Sequence, residues 1–277
     1  ADPFGRPGAG ETYVIYGKTG GPGDIDLDAL TPAQGFTIAG VTDFSQSGQS
    51  VASAGDVNGD GVDDIIIGAP SSTYNGGPPF GEAYVIYGKV GGLGDIDLAT
   101  LTAGDGFKIT TTRLGDYTGR SVSGIGDVNG DGFDDVAVGA SFGLPGRGYV
   151  IFGRADAPAA IEVSTLSAAE GFNLAPFDGD TESSGLVVSA AGDINGDGFE
   201  DLAVADAEQG PYAGRTAVIY GKAGGPGDID LSALTPDQGF AMAGAAPFDH
   251  SGRSISSAGD VNGDGIDDVI VGVPGGG

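Results

Sequence analysis

Four short acidic loops hold the residues of this chain best suited to chemistry. The first reads Asp56-Val57-Asn58-Gly59-Asp60-Gly61-Val62-Asp63-Asp64. Oxygens at positions 1, 3 and 5 converge on one cation if the backbone curls tightly. Gly59 and Gly61 permit that curl because glycine reaches positive φ at little cost. Position 7 offers a backbone carbonyl, and position 9 closes the shell. The candidate ligands of this loop are therefore Asp56, Asn58, Asp60, Val62 and Asp64. The second loop supplies Asp127, Asn129, Asp131, Phe133 and Asp135, and the third Asp193, Asn195, Asp197, Phe199 and Asp201. The fourth supplies Asp260, Asn262, Asp264, Ile266 and Asp268. An all-oxygen set without Cys or His selects a hard cation, and flexible loops favour Ca²⁺ over Mg²⁺. Four Ca²⁺ sites are expected, structural rather than catalytic.

The first half of each loop is shared with the EF-hand, but an EF-hand loop ends in Glu at position 12. Here position 12 is Ile67, Val138, Val204 or Val271, and the flanks read as strands. Both facts exclude the EF-hand and a dockerin-type loop. Other chemistries find little support. There is no Cys for a Cys-His arrangement, and His250, the only His, is not placed by the sequence pattern in a Ser-His-Asp arrangement. The pair Asp63-Asp64 resembles a glycosidase couple only on paper, because neighbouring strand residues point to opposite sides and one of the two is committed to metal. No catalytic residue and no organic cofactor are expected, and the chain reads as a non-enzyme.

Composition agrees. The 277 residues carry 39 acids against 11 bases, a formal charge of −28. Such a surface repels phosphate backbones and anionic membranes, so nucleic acid and membrane insertion are excluded as partners. No apolar run is long enough to span a bilayer as a helix. Ala1-Asp2-Pro3 reads as an expression remnant left after secretion.

The elements that must hold the loops repeat with them. The loops begin at 56, 127, 193 and 260, at spacings of 71, 66 and 67 residues. Aromatic-Gly pairs keep the same order at Tyr16, Tyr87, Phe152 and Tyr220, as do Gly-Phe pairs at Phe36, Phe107, Phe172 and Phe240. Each repeat reads as four short strands of β-branched, aromatic and small residues bounded by Gly and Pro. The small-residue strand before each loop suits the crowded centre of a radial array. The fold class expected is all-β: one domain over residues 1–277, a β-propeller of four four-stranded blades. A β-sandwich with repeated loops is the alternative. The chain opens at a third strand and stops after a second, so the N- and C-terminal strands are expected to share and close one blade. A monomer is expected, with strand exchange between copies as the route to an oligomer.

These loops and markers resemble FG-GAP repeats, the units of the integrin α-subunit N-terminal propeller. The Gly-Ala-Pro element stands at Gly68-Ala69-Pro70 and decays to Gly139-Ala140-Ser141, Ala205-Asp206-Ala207 and Gly272-Val273-Pro274. The Phe-Gly element lacks its Phe, at Ser47-Gly48, Thr118-Gly119, Ser184-Gly185 and Ser251-Gly252. Integrin propellers have seven blades, whereas four repeats stand here; bacterial secreted FG-GAP proteins look closer. The resemblance implies Ca²⁺ loops at the positions above and an extracellular, adhesion-like interaction module. A non-catalytic, glycan-binding propeller appended to a secreted enzyme is the alternative. The partner, protein or glycan, is not named by the sequence. Meander geometry places the metal loops with the Asp-Ile-Asp segments (Asp24, Asp95 and Asp228 onward) on one acidic side. Phe44, Tyr74, Phe80, Tyr117, Phe177 and Phe248 then fall on the opposite face, where a partner is expected to dock.

Overall fold

Runs of Val, Ile and Tyr separated by glycine-rich turns bury best as short paired strands, and they do so here. The computed structural model describes residues 5–72, 80–140, 146–156, 158–177 and 185–276. The chain begins with an antiparallel pair, β1 (Glu11–Ile15) and β2 (Gly35–Ala39), in the register Val14↔Phe36. A full blade follows, from β3 (Ser50–Gly55), β4 (Asp64–Ala69), β5 (Glu82–Ile86) and, beyond a two-residue strand β6 (Ile96–Asp97), β7 (Gly106–Thr110). The next blade is β8 (Ser121–Gly126), β9 (Asp135–Ala140), β10 (Arg147–Ile151) and, after β11 (Ala160–Glu162), β12 (Gly171–Ala175). A third comprises β13 (Val187–Gly192), β14 (Asp201–Asp206), β15 (Arg215–Ile219) and, after β16 (Ile229–Asp230), β17 (Gly239–Ala243). A second pair, β18 (Ile255–Gly259) and β19 (Asp268–Val271), ends the chain.

Within each blade the strands run antiparallel in sequence order. The small-residue strands pack on one another in series, β3 on β8, β8 on β13 and β13 on β18. Apolar side chains of neighbouring blades fill the gaps, as when Val85 and Phe107 share a cluster with Val136 and Val138. The architecture is all-β and consistent with a propeller.

Three findings differ from the sequence reading. The Asp-Ile-Asp segments are not simple loops beside the metal loops. β6, β11 and β16 each reach back and add a parallel strand to the outer edge of the preceding blade, pairing Ile96 with Ile38, Ile161 with Ile109 and Ile229 with Leu174. Because β4 starts at a metal loop and β5 and β7 alternate from it, Glu162 beside Thr110 lies at the end away from that loop. The acid that ends each segment caps a 3₁₀ turn: Asp26, Asp97, Glu162 and Asp230 accept the N–H two residues on. That is a capping role.

The shared terminal blade is likewise not formed. β1 pairs with β2 and β19 with β18, and among the described residues no strand pairing joins the two ends. β18 makes no packing against β3 comparable to that of β13 against β8. Strand counting shows that the halves are complementary, but the blade-to-blade angle decides whether they meet within one chain.

The third concerns the aromatic face. Phe177 is fully buried beneath the Arg215 guanidinium, 5.3 Å from its ring centre, so it fills space rather than anchoring a partner. Phe44 and Phe248 are 68% and 62% exposed, as expected for that face. Tyr117 and Phe80 are half-buried. Tyr74 lies outside the described residues. Tyr212, which the sequence reading passed over, stacks on Phe248 at 5.7 Å.

Candidate metal centre

Each acidic loop grows out of a β-bulge. The pairing of β3 with β4 slips between Ser53 and Gly55, where φ is +72°, and the same slip precedes the other three loops. The bulge re-aims the chain so that the next residue, Asp56, heads a tight curl. Gly59 and Gly61 hold φ of +74° and +85°, as the curl requires. Asp56 then accepts the backbone N–H groups of Asp60 (3.0 Å) and Gly61 (2.8 Å), Asn58 Oδ1 accepts that of Asp60, and Asp60 accepts that of Val62. The same set recurs in the other loops, for example Gly132 N–H on Asp127, Gly198 N–H on Asp193 and Gly265 N–H on Asp260.

The carboxylate at position 9 is held differently. Asp64 is buried at the start of β4; it accepts Val57 N–H at 3.0 Å and Gly88 N–H at 2.8 Å. Gly153 and Gly221 do for Asp135 and Asp201 what Gly88 does for Asp64. The aromatic-Gly marker at the end of each third strand is thus the donor that fixes the closing acid. Among the described residues, Asp268 accepts only the Val261 N–H.

Burial pushes the carboxyl groups of Asp64 and Asp201 up to about 6 and that of Asp135 up to about 8. The backbone donors pull each back down, and the acids at positions 5 and 1 push it further up. None of the three ion pairs between described residues, Arg6–Asp97, Lys89–Asp105 and Lys108–Glu82, reaches a loop. No ion pair among the described residues thus offsets these buried carboxyl groups, whose ionised form a hard cation would favour. Among the described residues no three acidic side chains are drawn together closely enough to grip an ion. Their oxygens are turned onto the loop's own N–H groups instead.

Positions 7 and 8 do something the sequence reading did not assign. Asp134 reaches the preceding loop: its Oδ2 accepts Asp56 N–H at 2.7 Å while its own N–H donates to Asp56 C=O at 3.2 Å. Asp267 does the same for Asp193, at 3.1 Å and 3.3 Å. Glu200 packs over Gly126, where burial and then the carboxylates around it, Asp267 and Asp193 first, raise its pKa. The Phe133 ring covers Gly59, and the Phe199 ring covers Gly130. Each of the first three loops is covered by the next repeat. The signal was present, as a Gly before every first Asp and an acid at every position 8, but it acts between repeats and not within one.

Comparison with known proteins supports this reading of the repeats. Residues 47–86, 118–152, 185–219 and 251–277 match the FG-GAP repeat. Integrin alpha-PS2 of Drosophila melanogaster is 32% identical over 205 residues, 72% of this chain and 14% of its own length. Integrin alpha-V of Gallus gallus is 29% identical over 237 residues, 83% of this chain and 20% of its own. A phosphatidylinositol-glycan-specific phospholipase D of Bos taurus is 36% identical over 145 residues, 52% of this chain and 16% of its own. The chain thus spans a fifth or less of the length of these relatives. Among solved structures, a rhamnogalacturonan lyase of Bacillus licheniformis aligns over 88% of this chain and 47% of its own at 17% identity, with a TM-score of 0.45.

Proposed function

Because the chain belongs to the FG-GAP repeat family, we propose that it is a Ca²⁺-stabilised, non-catalytic interaction module that works outside the cell. One observation carries this reading: the same all-oxygen loop, with a buried closing acid in the first three copies, stands at the same place in all four repeats. Asp, Asn and Asp at positions 1, 3 and 5, the position-7 carbonyl and the position-9 Asp would hold the ion. The ion would supply the missing positive charge and fix the loop on which the next blade is latched. Extracellular-type Ca²⁺ sites have dissociation constants of about 10⁻⁴–10⁻³ M. At about 1 mM Ca²⁺, linkage gives roughly 0.4–1.4 kcal/mol per site.

The test is a melting curve with Ca²⁺ and with excess EDTA. The midpoint is expected to fall on chelation, and Asp60→Ala is expected to remove one site from a calorimetric titration. An EDTA melt that overlays the Ca²⁺ melt contradicts the proposal. A protein partner would dock on the face bearing Phe44 and Phe248, whose exposed rings are of the kind that anchor interfaces. With a partner in hand, Phe248→Ala is expected to weaken capture and leave Ca²⁺ affinity unchanged.

A further inference from the structure

The strands β1, β5, β10 and β15 each open on a charged residue: Glu11, Glu82, Arg147 and Arg215. Three of the four are answered within the chain. Glu11 accepts the Tyr13 hydroxyl at 2.7 Å, and Glu82 accepts the Tyr84 hydroxyl and pairs with Lys108 at 3.8 Å. Arg215 lies over the Phe177 ring, 5.3 Å from its centre. Arg147 has no such answer. Its neighbour Tyr149 turns its hydroxyl to the buried Asp116, and Asn173 stands where the preceding blade has Lys108.

Arg147 lines a cavity of about 360 Å³ together with Arg113, Tyr149, Asn173, Asp228 and Asp230. Among the described residues neither guanidinium makes an ion pair or a hydrogen bond. Burial, then Asp116, raises the Tyr149 phenol, and Arg113 and Arg147 both pull it back, so the two cations act on one point. The carboxylates are tied elsewhere. Asp228 takes the Asn173 N–H at 2.8 Å and Nδ2 at 3.0 Å, both on Oδ1. Asp230 takes the Ser232 N–H and hydroxyl, again both on Oδ1. The second oxygen of each has no hydrogen bond among the described residues. In another unit the chain does join such charges: Asp97, the counterpart of Asp230, pairs with Arg6 at 2.8 Å. Here opposite charges line one cavity without meeting, which leaves room for a molecule between them.

We propose that this cavity binds a small zwitterion, its carboxylate on Arg113 and Arg147 and its ammonium group on Asp228 and Asp230. A guanidinium fork matches a carboxylate two bonds at a time. A lone anion would meet two carboxylates and a chain of charge −28, and a lone cation would meet two guanidiniums. A molecule that carries both charges answers both sides. The volume stands at the low end of small-ligand sites, which run from about 300 to 1,000 Å³, and so suits a ligand of amino-acid size. Three repeats build the site: Arg113 follows β7, Arg147 and Asn173 stand on β10 and β12, and Asp228 and Asp230 belong to the β16 segment. Arg147 opens β10, whereas Gly153, which holds the closing acid Asp135 of the metal loop, lies beyond its other end. The inference therefore does not rest on the metal reading.

Calorimetric titration of the intact chain tests this with glycine, β-alanine, 4-aminobutyrate and 6-aminohexanoate, which vary the distance between the two charges. Butyrate and butylammonium supply one charge each. One member of the amino-acid series is expected to bind with a dissociation constant of about 1 mM or below, at least tenfold more tightly than either single-charge probe. Arg113→Gln, Arg147→Gln and Asp228→Asn are each expected to weaken that binding about tenfold and to leave the circular dichroism unchanged. Asp228→Asn keeps the Oδ1 acceptor that Asn173 uses, and Arg113 is exposed, so these two variants read the site even where Arg147→Gln loosens β10. Butyrate binding as tightly as the best amino acid overturns the proposal in favour of a plain anion site. Binding that survives both Arg113→Gln and Arg147→Gln, or no binding by any probe at about 10 mM, overturns it outright.

Discussion

Gly55 illustrates how much of this molecule is decided by single residues acting across blades. A Cβ at Gly55 would lie 2.1 Å from Asp134 Oδ2, the oxygen that accepts Asp56 N–H, and the backbone there has a φ of +72°. Gly259 shares the positive φ, +65°, but meets nothing. Gly259→Ala should cost only the left-handed strain, about 1 kcal/mol. Gly55→Ala should cost about 1.5–3 kcal/mol more, the worth of a charge-assisted bond. Urea midpoints of the two variants check this, and equal costs would remove the latch from the account. The ligand positions were legible in the sequence because each is defined within its own loop by type and spacing. The latch residues were equally regular but had no partner in view, since Asp134 and Asp56 are 78 positions apart.

At the level of elements, four strands per blade could be read from β-branched runs and Gly-Phe markers. The fifth, back-reaching strand could not, because a ladder of two residues such as Ile96–Asp97 leaves no periodicity to detect. The third strand has its own signature, a phenol at Tyr13, Tyr84 and Tyr149. The Tyr84 hydroxyl donates to Glu82, and the Tyr149 hydroxyl donates to Asp116 at 3.0 Å. Burial first, then the neighbouring carboxylate, raises both phenols well above their ordinary value. An unfolded Tyr ionises near pH ~10. A raised folded value means these phenols contribute stability fully below that pH, and the contribution is lost as pH climbs toward the folded value. The phenols' contribution to the thermal midpoint is expected to hold up to about pH 9 and to fall above about pH 10. Replacing Tyr149 with Phe should make that fall shallower; an alkaline limb of unchanged slope would show that the phenol is not its source.

For the whole molecule, the repeat order and the all-β class were legible, and the complementary half-blades at the two ends could be counted. Their joining within one chain could not be read from that count. Whether β19 meets β1 of the same copy depends on how steeply each blade is rotated on the last, which the packing of Val136 and Val138 against Val85 and Phe107 sets. Among the described residues no strand pairing joins the two ends, and Ile270 and Val51 are exposed.

The back-reaching strands give the array a direction in which it comes undone. β2, β7 and β12 are each clamped at the outer edge by a strand from the repeat that follows, whereas among the described residues β17 has none and is largely exposed. A clamped blade cannot leave until the unit behind it has let go, so opening of the described chain is expected to start at β17 and its neighbours. Amide hydrogen exchange at low protein concentration reads the order of opening. Exchange should be fastest in β17, β18 and β19, slower in β12, and slowest in β7; equal rates in β7 and β17 would mean that all blades open at once.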